Sequence, residues 1–174
     1  RQDYPVGSGL SAIALLPGGD TRPPSLVAAT DRGLVQLDGE NGGLAAPSLI
    51  PSEAFVKIFA VGDFDDDGQY DLAYPERAAN EIHVLLGSGG GFRRGSTIAL
   101  DQAPQSIYAA DLDGDGRTEL LVGLRGKVAI YPAVGAGFGD PLHAPSGLGQ
   151  SYQIATADLD GDGVLDLFVI DQSG

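Results

Sequence analysis

The sequence predicts an all-β fold, and three observations predict it. No stretch of ten or more residues free of Gly or Pro carries the 3.6-residue apolar period of a helix. Glycine supplies 27 and proline 11 of the 174 residues, a density that suits many short strands joined by tight turns. One segment also recurs: Gly62–Tyr74, Ala110–Val122 and Ala157–Val169 align without gaps, and their first aspartates, Asp63, Asp111 and Asp158, are 48 and 47 residues apart. A sheet unit of that size cannot bury both of its faces alone, so neighbouring units must cover it. With four short strands per unit, this is the size of a β-propeller blade. A β-sandwich is the weaker alternative, because its strands do not normally carry such a repeat.

Each element follows from its residues. In the second unit, Ala54–Val61 is an apolar-rich strand, followed by an acidic loop and a strand from Asp71 to Tyr74. A turn at 77–80 leads to Ile82–Leu86, and a Gly-rich turn at 88–91 leads to Ser96–Leu100. The third unit repeats this with Ser106–Ala110, Glu119–Gly123, Lys127–Tyr131 and a turn at 135–139. The fourth shows Gln153–Ala157 and Leu165–Ile170. A weaker copy at Leu15–Ala29 aligns Leu26-Val27 with Leu72-Ala73 but has Pro17 where Asp63 would stand. The chain is thus one region, 1–174, with blades at 8–52 (degenerate), 53–102, 103–149 and 150–174 (truncated), and with 1–7 a candidate outer strand. About 3.5 to 4 blades fit. More propeller sequence or a second chain is expected to complete the sheet, since an open edge invites aggregation.

Composition narrows the function. The chain carries 24 acids and 10 bases, a formal net charge of −14, which argues against nucleic acid as a partner. No apolar run reaches the length needed to span a bilayer. There is no Cys, so neither disulfides nor thiolate metal sites are available. The absence of Met, including at position 1, reads as a processed or excised piece.

The acidic loops read D-x-D-x-D-G-x-x-[DE], the chemistry of a hard-cation site. Calcium takes six to eight oxygens. Asp63, Asp65 and Asp67, then Asp111, Asp113 and Asp115, then Asp158, Asp160 and Asp162 offer three carboxylates each. Gly68, Gly116 and Gly163 allow the left-handed turn at position six. The carbonyls of Gln69, Arg117 and Val164 can face the ion, and Asp71, Glu119 and Asp166 close the sites, expected to use both oxygens. Asp66, an extra acid, is expected to face solvent. An EF-hand fails, because it needs Glu at position twelve between helices, and Tyr74, Val122 and Val169 stand there in predicted strands. Three calcium ions are expected. Thirteen of the 24 acids fall in these loops, and three bound dications would bring the charge from −14 to −8.

These residues resemble the FG-GAP and VCBS repeat family, known from the integrin α-subunit propeller and many secreted bacterial proteins. Asp63-Phe-Asp-Asp-Asp-Gly, Asp111-Leu-Asp-Gly-Asp-Gly and Asp158-Leu-Asp-Gly-Asp-Gly match its calcium loop, and Gly91-Phe92 and Gly137-Phe138-Gly139 match its Gly-Phe turn. The resemblance implies calcium loops on the lower face, between strands one and two. It implies a ligand face above, built from the two-to-three and four-to-one loops. Arg32, Arg77, Asn80, Arg125 and Lys127 fall in the former, beside Asp31; Glu53, Asp101, Gln102 and Gln150 fall in the latter.

No catalytic constellation stands out. Ser106, His83 and Asp101 have no supporting spacing, and a G-x-S-x-G elbow is absent. His83 reads as a packed or rim histidine, and Tyr74, Tyr108, Tyr131 and Tyr152 as core or rim. The expectation is a non-enzymatic, secreted or cell-surface, calcium-stabilised propeller for adhesion or scaffolding, with a protein or glycan ligand. The alternatives are a non-catalytic module of a larger secreted enzyme or toxin, and a structural subunit that self-assembles by completing open blades.

Overall fold

The computed structural model describes residues 3–18, 23–40, 42–52, 56–147, 149 and 152–171. They form β-propeller blades, each an antiparallel sheet in chain order. Blade I holds β1 (Ala12–Leu16), β2 (Ser25–Thr30) and β3 (Gly33–Glu40), with a β4 (Gly43–Leu44) hairpin and an outer β5 (Ser48–Leu49) both on β3. Blade II holds β6 (Ala60–Gly62), β7 (Asp71–Glu76), β8 (Glu81–Ser88) and β9 (Gly91–Ala99). Blade III holds β10 (Ser106–Ala110), β11 (Glu119–Leu124), β12 (Lys127–Tyr131) and β15 (Leu142–Pro145), with a small hairpin of β13 (Ala133–Val134) and β14 (Gly137–Phe138). Blade IV contributes β16 (Tyr152–Ala157) and β17 (Asp166–Asp171).

The second strands show why the blades stack. Alternate side chains point to opposite faces of a sheet. Leu72 and Tyr74 of β7 pack with Val27, Ala29 and Leu34 of blade I. Ala73, between them, packs with Leu120 and Val122 of blade III. Leu121, between those two, packs with Ile154 of blade IV. Blades II and III therefore have two dry faces, and β11 reads as an almost unbroken apolar run, buried throughout. The first strands lie side by side at the inner edge, with β10 between β6 and β16.

The loop between the first and second strands joins this packing through its second residue. Phe64 is only 1% exposed and lies in the core between blades II and III, its ring 5.3 Å from that of Phe138. Leu112 packs against the core between blades III and IV. Leu159, at the same position of blade IV, is 70% exposed.

Some sequence expectations shift. The first strand of blade II runs over 60–62, where 54–61 was expected, with 54–55 outside the described residues. The fourth strand is longer than expected and starts at Gly91, because the hairpin turns at Gly89 and Gly90, both at positive φ. A register shift at His83/Leu85 marks a bulge within this hairpin. Residues 3–7, the described part of the candidate outer strand, form no strand. Instead the Tyr4 hydroxyl accepts the Leu44 N–H at 2.7 Å, tying this segment to the blade I hairpin.

Phe64→Ala should lower unfolding stability by about 3–5 kcal/mol, through lost burial and the cavity left behind. Leu159→Ala should stay within about 0.5 kcal/mol. Urea unfolding of the two variants checks the contrast; equal losses would overturn the assignment of Phe64 as the interblade plug.

Candidate metal centres

Each acidic loop spans the connection from a first to a second strand: β6–β7, β10–β11 and β16–β17. The register fixes its ends, pairing Gly62 with Asp71, Ala110 with Glu119 and Ala157 with Asp166. Inside, the aspartates organise the backbone. The first accepts the position-six glycine amide: Gly68 to Asp63 at 2.8 Å, Gly116 to Asp111 at 3.0 Å and Gly163 to Asp158 at 3.0 Å. The fifth-position acids accept the amides of Gln69, Arg117 and Val164, each at 2.8 Å. The ninth-position acids reach back to position two: Asp71 accepts Phe64 N–H at 2.7 Å, Glu119 accepts Leu112 at 2.8 Å and Asp166 accepts Leu159 at 3.0 Å.

The position-six glycines have φ of 81°, 89° and 88°, as the turn requires. Position four is left-handed too, a constraint the repeat pattern alone did not expose. Glycine supplies it in two loops (Gly114, φ 75°; Gly161, φ 80°), whereas Asp66 adopts φ 58°. Asp66 is solvent-exposed, as expected.

The carboxylates converge in threes. Ligand atoms of Asp63, Asp65 and Asp71 lie within 4.8 Å of one another, as do those of Asp111, Asp113 and Asp115, and of Asp158, Asp160 and Asp166. Asp67, Glu119 and Asp162 lie outside these triads. Both oxygens of Asp67 accept from Gln69, through its amide and its side chain. Each oxygen of Asp71 accepts an amide, Phe64 on one and Gly87 (2.7 Å) on the other. The donor set is carboxylate oxygen throughout, which suits a hard cation. It has one feature that hydrogen bonding does not explain: Asp65 Oδ1 is buried with no hydrogen-bond partner, a costly state unless a cation takes it.

Burial raises the Asp71 carboxyl from its ordinary 3.8 to about 6, against the pull of the Gly87 and Phe64 amides, and the charges of Asp65 and Asp63 add to the rise. Desolvation also raises Glu119, and desolvation with the Asp67 and Asp63 charges raises Asp65.

The ligand-face candidates sit at the opposite blade ends. Arg32 lies in the β2–β3 turn, Arg77 and Asn80 in the β7–β8 turn, and Arg125 in the β11–β12 turn. Lys127 opens β12 and is committed to Asp101 at 2.7 Å, which lowers that carboxyl's pKa. Asp101 thus bridges a four-to-one loop to the neighbouring two-to-three turn, and Gln102 does the same, its side chain donating to Arg125 O at 3.3 Å. Glu53 and Gln150 lie outside the described residues. His83 stacks on Tyr74 with centroids 5.4 Å apart and bonds Thr97 Oγ1 through Nδ1 at 3.3 Å, a packed histidine.

A pH test follows. The folded, metal-free loop of blade II holds a proton on Asp71 that the unfolded chain releases between about pH 4 and 6. The contribution of this group to stability is therefore present at low pH and lost as pH rises through about 6. Decalcified protein should melt lower at pH 6.5 than at pH 4.5, followed by circular dichroism, while calcium-loaded protein should not. A melting temperature that climbs across this window without calcium would contradict the raised carboxyl.

The model of the FG-GAP-like repeat matches the chain twice, over residues 63–122 and 111–169. No curated protein matches the sequence. Among solved structures, the Tc holotoxin pore of Photorhabdus luminescens superposes with a TM-score of 0.58 at 23% identity, over 90% of this chain and 8% of its own. An Agrocybe aegerita lectin that recognises non-reducing terminal N-acetylglucosamine gives 0.65 at 20% identity, over 89% and 45%. BBS1N in complex with ARL6DN, soaked with lead, gives 0.63 at 14% identity, over 97% and 49%. The chain thus spans less than half the length of each of these proteins, and at such identities the likeness concerns the fold. With residues 63–169, well over half of the chain and all three acidic loops, matched in two overlapping copies by the repeat model, this chain belongs to the FG-GAP-like repeat family.

Proposed function

We propose that this chain is an extracellular, calcium-stabilised β-propeller module that binds a partner rather than transforming one. The observation that carries the calcium reading is the buried, unpartnered Oδ1 of Asp65, set among the converging carboxylates of Asp63 and Asp71. Two repeats of the same loop, at Asp111 and Asp158, extend the reading to three ions. The carbonyls of Gln69, Arg117 and Val164 would add oxygens to them. Calcium there orders the loop and seats its second residue in the next blade. Millimolar external calcium suits such loops, which favours a secreted or cell-surface setting.

The binding role rests on the loop face opposite the ions. Arg32, Arg77, Asn80 and Arg125 lie in turns there, with Lys127 and Asp101 as a fixed pair. The lectin's recognition of N-acetylglucosamine makes a glycan a reasonable ligand class for a propeller of this kind, and a protein ligand is the other. The match to part of a toxin assembly favours a second reading, a non-catalytic module of a larger secreted toxin or enzyme. A third, self-assembly by completion of open blades, is separated from both by mass in solution with calcium.

Removing calcium should lower the Tm by about 10–20 °C, from about 2 kcal/mol of binding linkage at each of three sites. Calorimetry with and without chelator measures this, and an unmoved Tm would sink the calcium reading. On an array of N-acetylglucosamine-terminated glycans, Arg77→Ala and Arg125→Ala should each weaken binding about tenfold, the worth of one charge-assisted hydrogen bond. Binding that is unchanged in both variants would remove the glycan from this face.

A further inference from the structure

The three acidic loops differ in one respect that the repeat conceals. Beside the blade II loop stands a cation of the protein's own: Arg93 Nη2 lies 3.6 Å from Asp65 Oδ2. The Asp65 side chain is only 8% exposed, and the Arg93 side chain 55%. The other oxygen of Asp65 is the buried one without a partner.

Among the blades whose third-strand hairpin is described, register gives such an arginine to blade II and not to blades I and III. In each complete blade the third strand turns through a Gly-rich hairpin. In blade II, Gly87 pairs with Phe92 and Leu86 with Arg93. In blade III, Ala133 pairs with Phe138 and Gly139 N–H donates to Pro132 O at 2.9 Å. In blade I, Gly39 pairs with Leu44 and Ala45 N–H donates to Asp38 O at 2.7 Å. Arg93, Gly139 and Ala45 are therefore equivalent, and only the first is charged. Blade II is also the blade whose loop carries the extra acid, Asp66, where the other two have Gly114 and Gly161. The extra acid and the extra base occur together.

We infer that Arg93 is a built-in counter-cation of the blade II loop, which holds the aspartate cluster together without metal and opposes the entry of a divalent ion. The inference rests on the calcium reading above and separates the site of blade II from that of blade III. The guanidinium relieves the repulsion among Asp63, Asp65 and Asp67, so the metal-free loop keeps its shape. A bound dication meets a like charge already beside Asp65. A unit charge several ångströms from a dication in a solvent-accessible site changes its affinity by about tenfold. Arg93 sits on an outer strand and is more than half exposed, so it can swing into solvent when the ion arrives. The site of blade II would thus be occupied over a different calcium range from that of blade III, whose equivalent position is a glycine.

Calcium titration of the uniformly labelled full chain, followed by NMR at the amides of Gly68, Gly116 and Gly163, reads the three sites separately, because each amide bonds to the first aspartate of its own loop. In Arg93→Gln, the Gly68 transition should move to about tenfold lower calcium, while those of Gly116 and Gly163 stay within twofold. The decalcified variant should also melt at a lower temperature than the decalcified parent. Arg94→Gln, the neighbouring arginine, should shift none of the three transitions by more than twofold. A Gly68 transition that is unchanged, or that moves to higher calcium, overturns the counter-cation role; in the second case Arg93 is a residue that orients Asp65. If the parent protein shows no calcium transition at any of the three glycines, the calcium reading fails and this inference fails with it. If the parent titrates normally and only the Arg93→Gln shift is missing, the calcium reading stands alone.

Discussion

Phe64, Leu112 and Leu159 each donate a backbone N–H to the acid seven residues further on, at 2.7, 2.8 and 3.0 Å. This bond closes the acidic loop at its base. It holds the first and second strands in register, and in blades II and III it aims the second-position side chain into the interblade core and places a carboxylate, Asp71 or Glu119, where it is cut off from water. An isolated carboxylate in such a place is unfavourable. Backbone amides offset part of that cost, and the convergence of two further aspartates makes a cation the natural complement of the remainder. Packing between blades and acidity within the loop are thus two results of one local geometry.

Blade I opens its second strand on a serine instead of an acid. Its loop, 17–25, has the same nine-residue length as 63–71, and Ser25 pairs with Asp38 where Asp71 would open the second strand. Ser25 donates its hydroxyl to Asp38 Oδ1 at 2.7 Å, and Gln36 donates to the same oxygen at 2.7 Å. Gln36 also reaches Gly90 O in blade II at 3.0 Å. A partly buried hydrogen-bond relay centred on the Asp38 carboxylate therefore joins blades I and II. Where Asp71 opens the second strand of blade II, blade I has a serine whose carboxylate partner stands on the neighbouring strand.

Much of this was legible in the sequence. A repeat of nearly constant spacing with a D-x-D-x-D-G core identifies both blade and loop, because the same residues set the turn and supply the charge. Second strands such as Glu119–Leu124 are legible because burial on both faces demands a continuous apolar run. What escaped reading depends on contacts between distant residues. Phe64 looks like any apolar loop residue until blade III covers it. Nothing local in Asp38 marks it as the partner of Ser25. The start of β9 at Gly91 follows from hairpin closure, whereas the apolar signal begins only later in that strand. The left-handed fourth loop position was hinted at by Gly114 and Gly161, but Asp66 hid it. Arg93 could have been found by aligning the Gly-Phe turns with one another, where Arg93 and Gly139 stand at one position.

The contacts between loops also give the array a direction. Leu165 N–H donates to Leu112 O at 3.2 Å, from the last acidic loop to the one before it, and Phe64 and Leu112 each lean on the blade that follows. The blades overlap like roof tiles, each holding down the edge of the next. Loosening one loop therefore disturbs its own hairpin and also the footing of its neighbour. Mutational damage in such a row should be read by position as well as by chemistry, since an early tile carries more than itself.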